Sequence, residues 1–292
     1  METRWRDDRL SQALAKLSAH LVVALVALVG IGGATRVMEA GLACPDWPLC
    51  YGSLLPGGRM NMQVFLEWFH RLDAFVVGVA LLVLCAVSVL QRQRLPRWLP
   101  WLSAGALALV AIQGGLGALT VLALLPSAVV TAHLSVALLL VALISATSQQ
   151  LLGNASAEAE APRLWLVLAA VALLAVLGQC LLGGSMATQW AAESCLSRGV
   201  GCQWLSAHRH GGSIAAAAVL LQAVAALLLR LRGVGLGLSL GAGALVLMQL
   251  GLGLTSWHLQ LQMPLVTVAH QVVAALLVAV LTAGLSREVA HG

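Results

Sequence analysis

The sequence has few charged residues. Only 9% of its 292 residues are Asp, Glu, Lys or Arg, and 60% are hydrophobic, whereas a soluble protein carries about 25% charged residues. The mean hydropathy is +0.94. One globular core cannot bury so much apolar surface, so the composition excludes an ordinary soluble protein and predicts an integral membrane protein.

The sequence also lacks the features of exported, imported or nucleic-acid-binding chains. Met1 to Lys16 mixes acidic with basic residues and precedes a run long enough to span a membrane, which predicts neither a cleavable signal peptide nor a mitochondrial transit peptide. The net charge of +5 comes from basic residues in short loops, where they orient a membrane protein. We therefore expect a multi-pass protein of the bacterial inner membrane that embeds in the lipid bilayer and binds no nucleic acid.

The apolar runs predict an all-α fold with eight transmembrane helices. A spanning helix needs about 20 apolar residues, and such runs occupy residues 17–38, 64–90, 98–121, 128–151, 163–186, 205–230, 234–257 and 264–286. Arginines lie between the second and third runs and between the sixth and seventh. The positive-inside rule makes these connections cytoplasmic, so both termini are expected in the cytoplasm.

Unusual residues recur at matching places in the two halves of the chain. An offset of 151 relates Gly32-Gly33 to Gly183-Gly184 and Cys44 to Cys195. An offset of 138 relates His70-Arg71 to His208-Arg209. Offsets of 136 to 138 relate a further set in each half, namely Gln113, Gly115, Gly117, Pro126 and His133 to Gln249, Gly251, Gly253, Pro264 and His270. Residues 1–152 and 153–292 are therefore predicted to form two repeated four-helix bundles of parallel topology.

Four histidines hold equivalent positions in this repeat. His70 and His133 belong to the first half, His208 and His270 to the second, and each lies near the start of an even-numbered helix. Two histidines on facing helices of a bundle form a natural axial pair for haem iron, which predicts two haem sites. Zinc is the alternative, although it usually requires a third or fourth protein ligand.

Several cationic residues are candidates for pairing with haem propionates. Arg71 and Arg209 follow ligand histidines, and Arg36 lies near the outer end of the first helix. A planar guanidinium suits a carboxylate; the alternative is that each arginine extends to the membrane interface. His210 and His258 lie near the same surface and are further candidates.

The clearest difference between the halves is a carboxylate. Glu67 lies one helical turn before His70 and shares its face, whereas the matching residue before His208 is Leu205. Electron-transfer haems need no such acid, but a site of chemistry uses one as a general base or to stabilise positive charge. This pattern predicts that Glu67 is catalytic; the alternative is an interfacial glutamate solvated by the outer loop.

Four cysteines lie in loops that the orientation places outside the cytoplasm. Cys44 and Cys50 lie in the first of these loops, and Cys195 and Cys202 lie in the third. Paired cysteines oxidise outside the cytoplasm, and each pair can close a small ring within its loop.

These features together resemble the haem A synthase family. The residues that carry the resemblance are Gly33-Ala34-Thr35-Arg36, Gly41 to Pro48 with its Cys-Pro-Asp-Trp-Pro motif, Glu67-x-x-His70-Arg71, His133, His208-Arg209 and His270. The similarity extends over nearly the whole chain.

The resemblance implies an enzyme that oxidises the C8 methyl group of haem O to the formyl group of haem A by successive hydroxylations and loss of water. It implies that His70 and His133 flank the substrate haem, that His208 and His270 ligate haem b, and that Glu67 is the catalytic carboxylate. It also implies a functional Cys44–Cys50 disulfide and a second, more structural Cys195–Cys202 disulfide. Homo-oligomers and an association with haem O synthase are further implications.

Two other functions explain the four histidines. A di-haem b-type cytochrome would carry electrons to or from quinone, and a haem transporter or chaperone would use the same ligands transiently. Neither explains Glu67. The electron donor or acceptor is not evident from the sequence.

Overall fold

The computed structural model describes residues 9–152, 161–187 and 203–289. Within these ranges the regular structure is helical, apart from an isolated bridge between Cys50 and Ser53. The long helices are α1 (Arg9–Val37), α2 (Met62–Leu90), α3 (Leu99–Leu122), α4 (Ser127–Leu152), α5 (Arg163–Met186), α6 (Gln203–Leu228), α7 (Gly233–His258) and α8 (Pro264–Val289). A short 3₁₀ turn, Gly57–Arg59, precedes α2.

All eight of these helices are long and apolar enough to cross a bilayer. A helix satisfies its own backbone hydrogen bonds, which an apolar segment in lipid requires. Large apolar side chains such as Phe75, Leu174 and Ile214 are exposed on the outer surface, where a soluble protein would place polar groups. The chain is therefore a multi-pass membrane protein, and the predicted all-α fold with eight spans is confirmed.

The predicted spans agree with the helices to within about three residues at every boundary except one. Helix α1 begins at Arg9 rather than near residue 17. Its extra turns contain Ser11, Leu14 and Ala15, which are buried in the structure. The helix thus continues beyond the apolar run because this segment packs against other helices.

The helices form two four-membered rings. In the first, α1 contacts α2, α2 contacts α3, α3 contacts α4, and α4 returns to α1. In the second, α5, α6, α7 and α8 contact one another in the same cyclic order. Each ring thus has the arrangement expected of a four-helix bundle.

The two rings meet along α4 and α8. These two helices contact each other, and α1 also contacts α8 while α4 contacts α5. Ser145 Oγ in α4 donates a 2.7 Å hydrogen bond to the backbone carbonyl of Ala279 in α8. Since α1 is equivalent to α5 and α4 to α8 in the repeat, the contact of α1 with α8 corresponds to that of α5 with α4.

The turns that lead into α4 and α8 have the same backbone geometry. Leu124 and Leu125 before α4, and Gln260 and Leu261 before α8, all have positive φ angles between 50° and 62°. Pro126 and Pro264 follow these turns. The same pair of positive φ angles thus follows α3 and α7, although Gln262 and Met263 lengthen the second connection.

Candidate functional site

The four predicted histidines form two pairs with nearly the same geometry. The ring centroids of His70 and His133 are 6.5 Å apart with an interplanar angle of 70°. Those of His208 and His270 are also 6.5 Å apart, with an angle of 71°. A metal–nitrogen distance of about 2 Å on each side, plus the two ring radii, gives a centroid separation of about 6 Å. Each pair is therefore spaced to hold one metal ion between its rings.

Every histidine ring lies against a glycine of the preceding helix. A Cβ atom placed on Gly32, Gly183 or Gly253 would come within 3.0 to 3.1 Å of Cε1 of His70, His208 or His270, and one on Gly117 would come within 3.5 Å of Cε1 of His133. A larger residue would displace the ring at three of these places. The glycines thus allow the histidine-bearing helices to place their rings inside the bundle.

Glutamine side chains contact the rings in the second half. Gln249 Nε2 in α7 lies 3.2 Å from Nε2 of His270. Gln179 Nε2 in α5 lies 2.8 Å from Nδ1 of His208 and donates to the backbone carbonyl of His208, also at 2.8 Å. These amides restrict the rotation of the rings that they touch.

Three of the four histidine rings have a buried nitrogen without a hydrogen-bond partner among the described residues, which indicates that a ligand completes the site. Nδ1 of His70, His133 and His270 is buried and forms no hydrogen bond with any residue that the structure describes. A buried polar atom without a partner points to a group that the chain itself does not supply. Among the described residues, no cluster of three His, Cys, Asp or Glu side chains converges on a point. Each pair supplies the two axial ligands that haem needs, and the assignment of haem rather than zinc stays a prediction.

Glu67 is a buried carboxylate with two partners. Its Oε1 atom pairs with Nη2 of Arg71 at 2.5 Å, and its Oε2 atom accepts a 2.7 Å hydrogen bond from the backbone N–H of Cys44. The side chain is only 4% exposed. The outer loop supplies one of these partners through the Cys44 N–H, so the catalytic role of Glu67 stays a prediction beside the alternative of a glutamate solvated by that loop.

Arg71 connects this carboxylate to the loop of residues 38–61, which we call the disulfide loop. Its Nη1 atom donates to the backbone carbonyl of Asp46 at 2.6 Å and to that of Leu49. Its Nη2 atom also reaches the carbonyl of Cys44 at 3.3 Å. Arg71 thus fastens the loop to α2, and its predicted contact with a propionate stays a prediction.

The disulfide loop is held together by a bond between Cys44 and Cys50. Both cysteines are buried and pack with Val64 at the start of α2. The carboxylate of Asp46 accepts hydrogen bonds from the backbone N–H groups of Tyr51 and Gly52, at 2.6 and 2.7 Å. The bond from Gly52, with that from Tyr51, lowers the pKa of Asp46. The predicted Cys44–Cys50 pairing agrees with this geometry, whereas Cys195 and Cys202 lie outside the described residues.

The other cationic candidates have different surroundings. Arg36 is directed from α1 to the backbone carbonyl of Ala187, just after α5. The Arg209 guanidinium lies 5.1 Å from the ring centroid of Trp257 in α7 and is exposed at the end of its bundle. His210 and His258 are exposed. Arg209 is thus the candidate whose side chain is most accessible to an anionic group.

Sequence reasoning missed three features of this site. The glycines were identified only as markers of the repeat, although each lies one helix before the paired histidine that it contacts. The Glu67–Arg71 pair could have been found from its i, i+4 spacing. The contact between Gln179 and His208 has no local sequence signal, because its partners lie on different helices.

Residues 15–282 match the model of a family described as COX15-CtaA, cytochrome oxidase assembly protein. The chain belongs to the COX15-CtaA family. The resemblance inferred from the motifs is therefore confirmed at the level of the family.

Several curated proteins with similar sequences are named heme A synthase. The chain is 33% identical over 202 residues to a protein named heme A synthase from Shewanella oneidensis, and 30% identical over 209 residues to one from Sphingopyxis alaskensis. These matches cover 61% and 60% of this chain, and it spans 58% of the length of each relative. A segment of 79 residues, 27% of the chain, is 33% identical to 16% of a protoheme IX farnesyltransferase from Haloarcula marismortui.

Proposed function

We propose that this COX15-CtaA family member is a haem A synthase, a membrane oxidoreductase that converts haem O to haem A. The observation that carries the proposal is the asymmetry of two otherwise matching sites. Both histidine pairs have nearly the same separation and angle, but among the described residues a buried carboxylate accompanies only the first pair. An electron carrier would not need this difference, whereas an enzyme with one substrate haem and one cofactor haem would.

The two halves have different tasks in this proposal. Residues 1–152 hold the substrate haem between His70 and His133, and residues 153–292 hold haem b between His208 and His270. Haem b, when bound, supplies one-electron redox chemistry. Arg36, Arg71 and Arg209 are the cations available for propionates. The names of the Shewanella and Sphingopyxis relatives support haem A synthase activity.

Glu67 acts as the proton acceptor for the oxidation. With water as the oxygen source, converting a methyl to a formyl group releases four protons and four electrons, so the site needs a base and an electron acceptor. A carboxylate on the same helical face as His70, one turn away, is placed for this task. Its 2.5 Å pairing with Arg71 fixes the position of the carboxylate.

The oxygen source can be measured directly. The hydroxymethyl intermediate keeps its oxygen, whereas a formyl group exchanges it with water. Cells are grown with labelled dioxygen or labelled water, and the mass of the extracted hydroxymethyl haem is determined. We expect label from water; label from dioxygen would contradict the role of Glu67 in water attack.

The proposed function also implies where the protein lies in the cell and how it is oriented in the membrane. The chain lies in the bacterial inner membrane with both termini in the cytoplasm, so the Cys44–Cys50 disulfide is on the oxidising side, together with Cys195–Cys202. An association with the enzyme that supplies haem O is part of the same proposal. A homo-oligomer is the proposed assembly.

The test is the haem content of the purified protein and of matched variants. We expect haem b together with haem O or haem A in the wild type, and haem b without haem A in Glu67→Gln. Glu39→Gln is the control, because Glu39 is an exposed glutamate after α1. His208→Ala should remove the haem b spectrum. Haem b at both sites would favour the di-haem electron carrier, and normal haem A in Glu67→Gln would contradict catalysis by Glu67.

A further inference from the structure

His70 and His208 are equivalent in the repeat, but the residue that lies one turn before the neighbouring glycine, in α1 and in α5, differs between the two halves. The offset of 151 that relates Gly32 to Gly183 also relates Leu28 to Gln179. Gly183 touches the His208 ring, and Gln179 lies one turn before it on the same face of α5. Leu28 holds the equivalent place in α1, one turn before Gly32 and packed against the apolar core.

Gln179 contacts His208 through both its backbone and its ring. The amide nitrogen donates to the His208 carbonyl at 2.8 Å and lies 2.8 Å from Nδ1 and 3.4 Å from Nε2 of the ring. The amide therefore lies across the imidazole and opposes its rotation. Leucine has no donor with which to make either contact, and Nδ1 of His70 has no hydrogen-bond partner among the described residues.

A second difference makes room for Gln179. A Cβ atom on Gly211 would lie 2.5 Å from Oε1 of Gln179, and one on Gly212 would lie 3.3 Å from its Nε2 atom. The offset of 138 that relates His70 to His208 places Asp73 and Ala74 at the equivalent positions of α2. The second half thus combines Gln179 with two glycines. The first half has Leu28, with Asp73 and Ala74 at the places of the glycines.

We propose that Gln179 is a positioning residue that holds His208 as a permanent haem ligand, and that the absence of such a contact at His70 lets the first half exchange its haem. This inference rests on the proposed function. A substrate haem must leave the enzyme after each turnover, whereas a cofactor haem must stay. Residues that orient a metal-ligating histidine typically contribute a factor of about 10 to 100 to the affinity of a site.

The test isolates the second site and measures how fast it loses haem. In a His70→Ala/His133→Ala background only His208 and His270 form an axial pair. The purified protein is mixed with excess apomyoglobin, and haem transfer is followed by absorbance. We expect Gln179→Leu to accelerate transfer by about 10- to 100-fold. It should also let carbon monoxide bind the reduced haem, because His208 leaves the iron more readily.

Two further variants separate positioning from general packing. Gly211→Ala retains Gln179 but displaces its amide, so it should reproduce both effects. Gln222→Leu removes another buried glutamine, which donates to Ser239 Oγ away from the histidines, and should change neither. Transfer rates and carbon monoxide spectra in Gln179→Leu equal to those of Gln222→Leu would overturn the inference.

The outcome also distinguishes this inference from the proposed function. Stable haem b in the parent, with no effect of Gln179→Leu, would contradict only the positioning role. A parent that binds no haem would contradict the proposed function and this inference together.

Discussion

The carboxylate of Glu67 accepts a hydrogen bond from the backbone N–H of Cys44, with 2.7 Å between Oε2 and the nitrogen. The proposed catalytic group therefore bonds directly to a residue of the disulfide. Arg71 completes the arrangement by binding Glu67 and the loop carbonyls together. The position of the carboxylate and the conformation of the disulfide loop consequently depend on each other.

The first prediction concerns this dependence. Glu67→Ala removes the carboxylate that the half-buried Arg71 guanidinium and the Cys44 N–H both bind, and breaking a fully buried pair costs about 3–5 kcal/mol. We expect a lower thermal unfolding midpoint and faster reduction of Cys44–Cys50 by a water-soluble phosphine. Glu67→Gln retains an oxygen for the Cys44 N–H, so its disulfide should be reduced more slowly than that of Glu67→Ala. Equal rates in the two variants would contradict the coupling.

The second prediction concerns the glycine beside His208. A Cβ atom on Gly183 would lie 3.0 Å from Cε1 of His208 and 3.3 Å from its Nδ1 atom. Gly183→Ala should therefore move the ring and reduce the haem b bound per protein, measured as the ratio of haem to protein absorbance. Gly178→Ala in the same helix is the control, because nothing lies within 4 Å of its added methyl group. The control should stabilise the helix by about 0.5–1 kcal/mol, and equal haem loss in both variants would refute the prediction.

The third prediction concerns Gln271, which follows His270 but faces the other half. A Cβ atom on Gly33 would lie 2.6 Å from its Oε1 atom, and that oxygen is buried without a partner among the described residues. The matching residue of the first half is Leu134, which packs against Gly184. Gln271→Leu removes an unsatisfied acceptor and should be neutral or stabilising by about 1 kcal/mol. Thermal unfolding in detergent measures this effect, and loss of haem from the variant would instead indicate a role at the site.

The fourth prediction concerns the pH dependence of the disulfide loop. Its hydrogen bond from the Gly52 N–H, with that from Tyr51, lowers the pKa of Asp46, so the charged form is favoured in the folded loop. The resulting stabilisation is complete above the ordinary pKa of about 3.9 and is lost as the pH falls through the lowered value. Phosphine reduction of Cys44–Cys50 should therefore accelerate as the pH falls below the ordinary carboxyl pKa of about 3.9, relative to Asp46→Asn. The same pH profile in both proteins would contradict this role.

The membrane-spanning fold could be predicted because its cause is local. Lipid contact demands about 20 consecutive apolar residues with internal backbone hydrogen bonds, and both requirements are visible in a linear sequence. The same reasoning placed His70, His133, His208 and His270 near the starts of even-numbered helices, where the structure has them. The start of α1 was missed because packing, rather than hydropathy, extends that helix.

Hydropathy and residue spacing were thus enough to find the eight spans, the equivalent histidines and the lack of a counterpart to Glu67 before His208. The bond from Cys44 to Glu67, the glycines beside the histidine rings and the contact of Gln179 with His208 became visible only when the helices were packed together. These contacts join residues on different helices or loops. Their distances depend on how closely whole helices approach, and hydropathy and spacing along a single segment do not specify that approach.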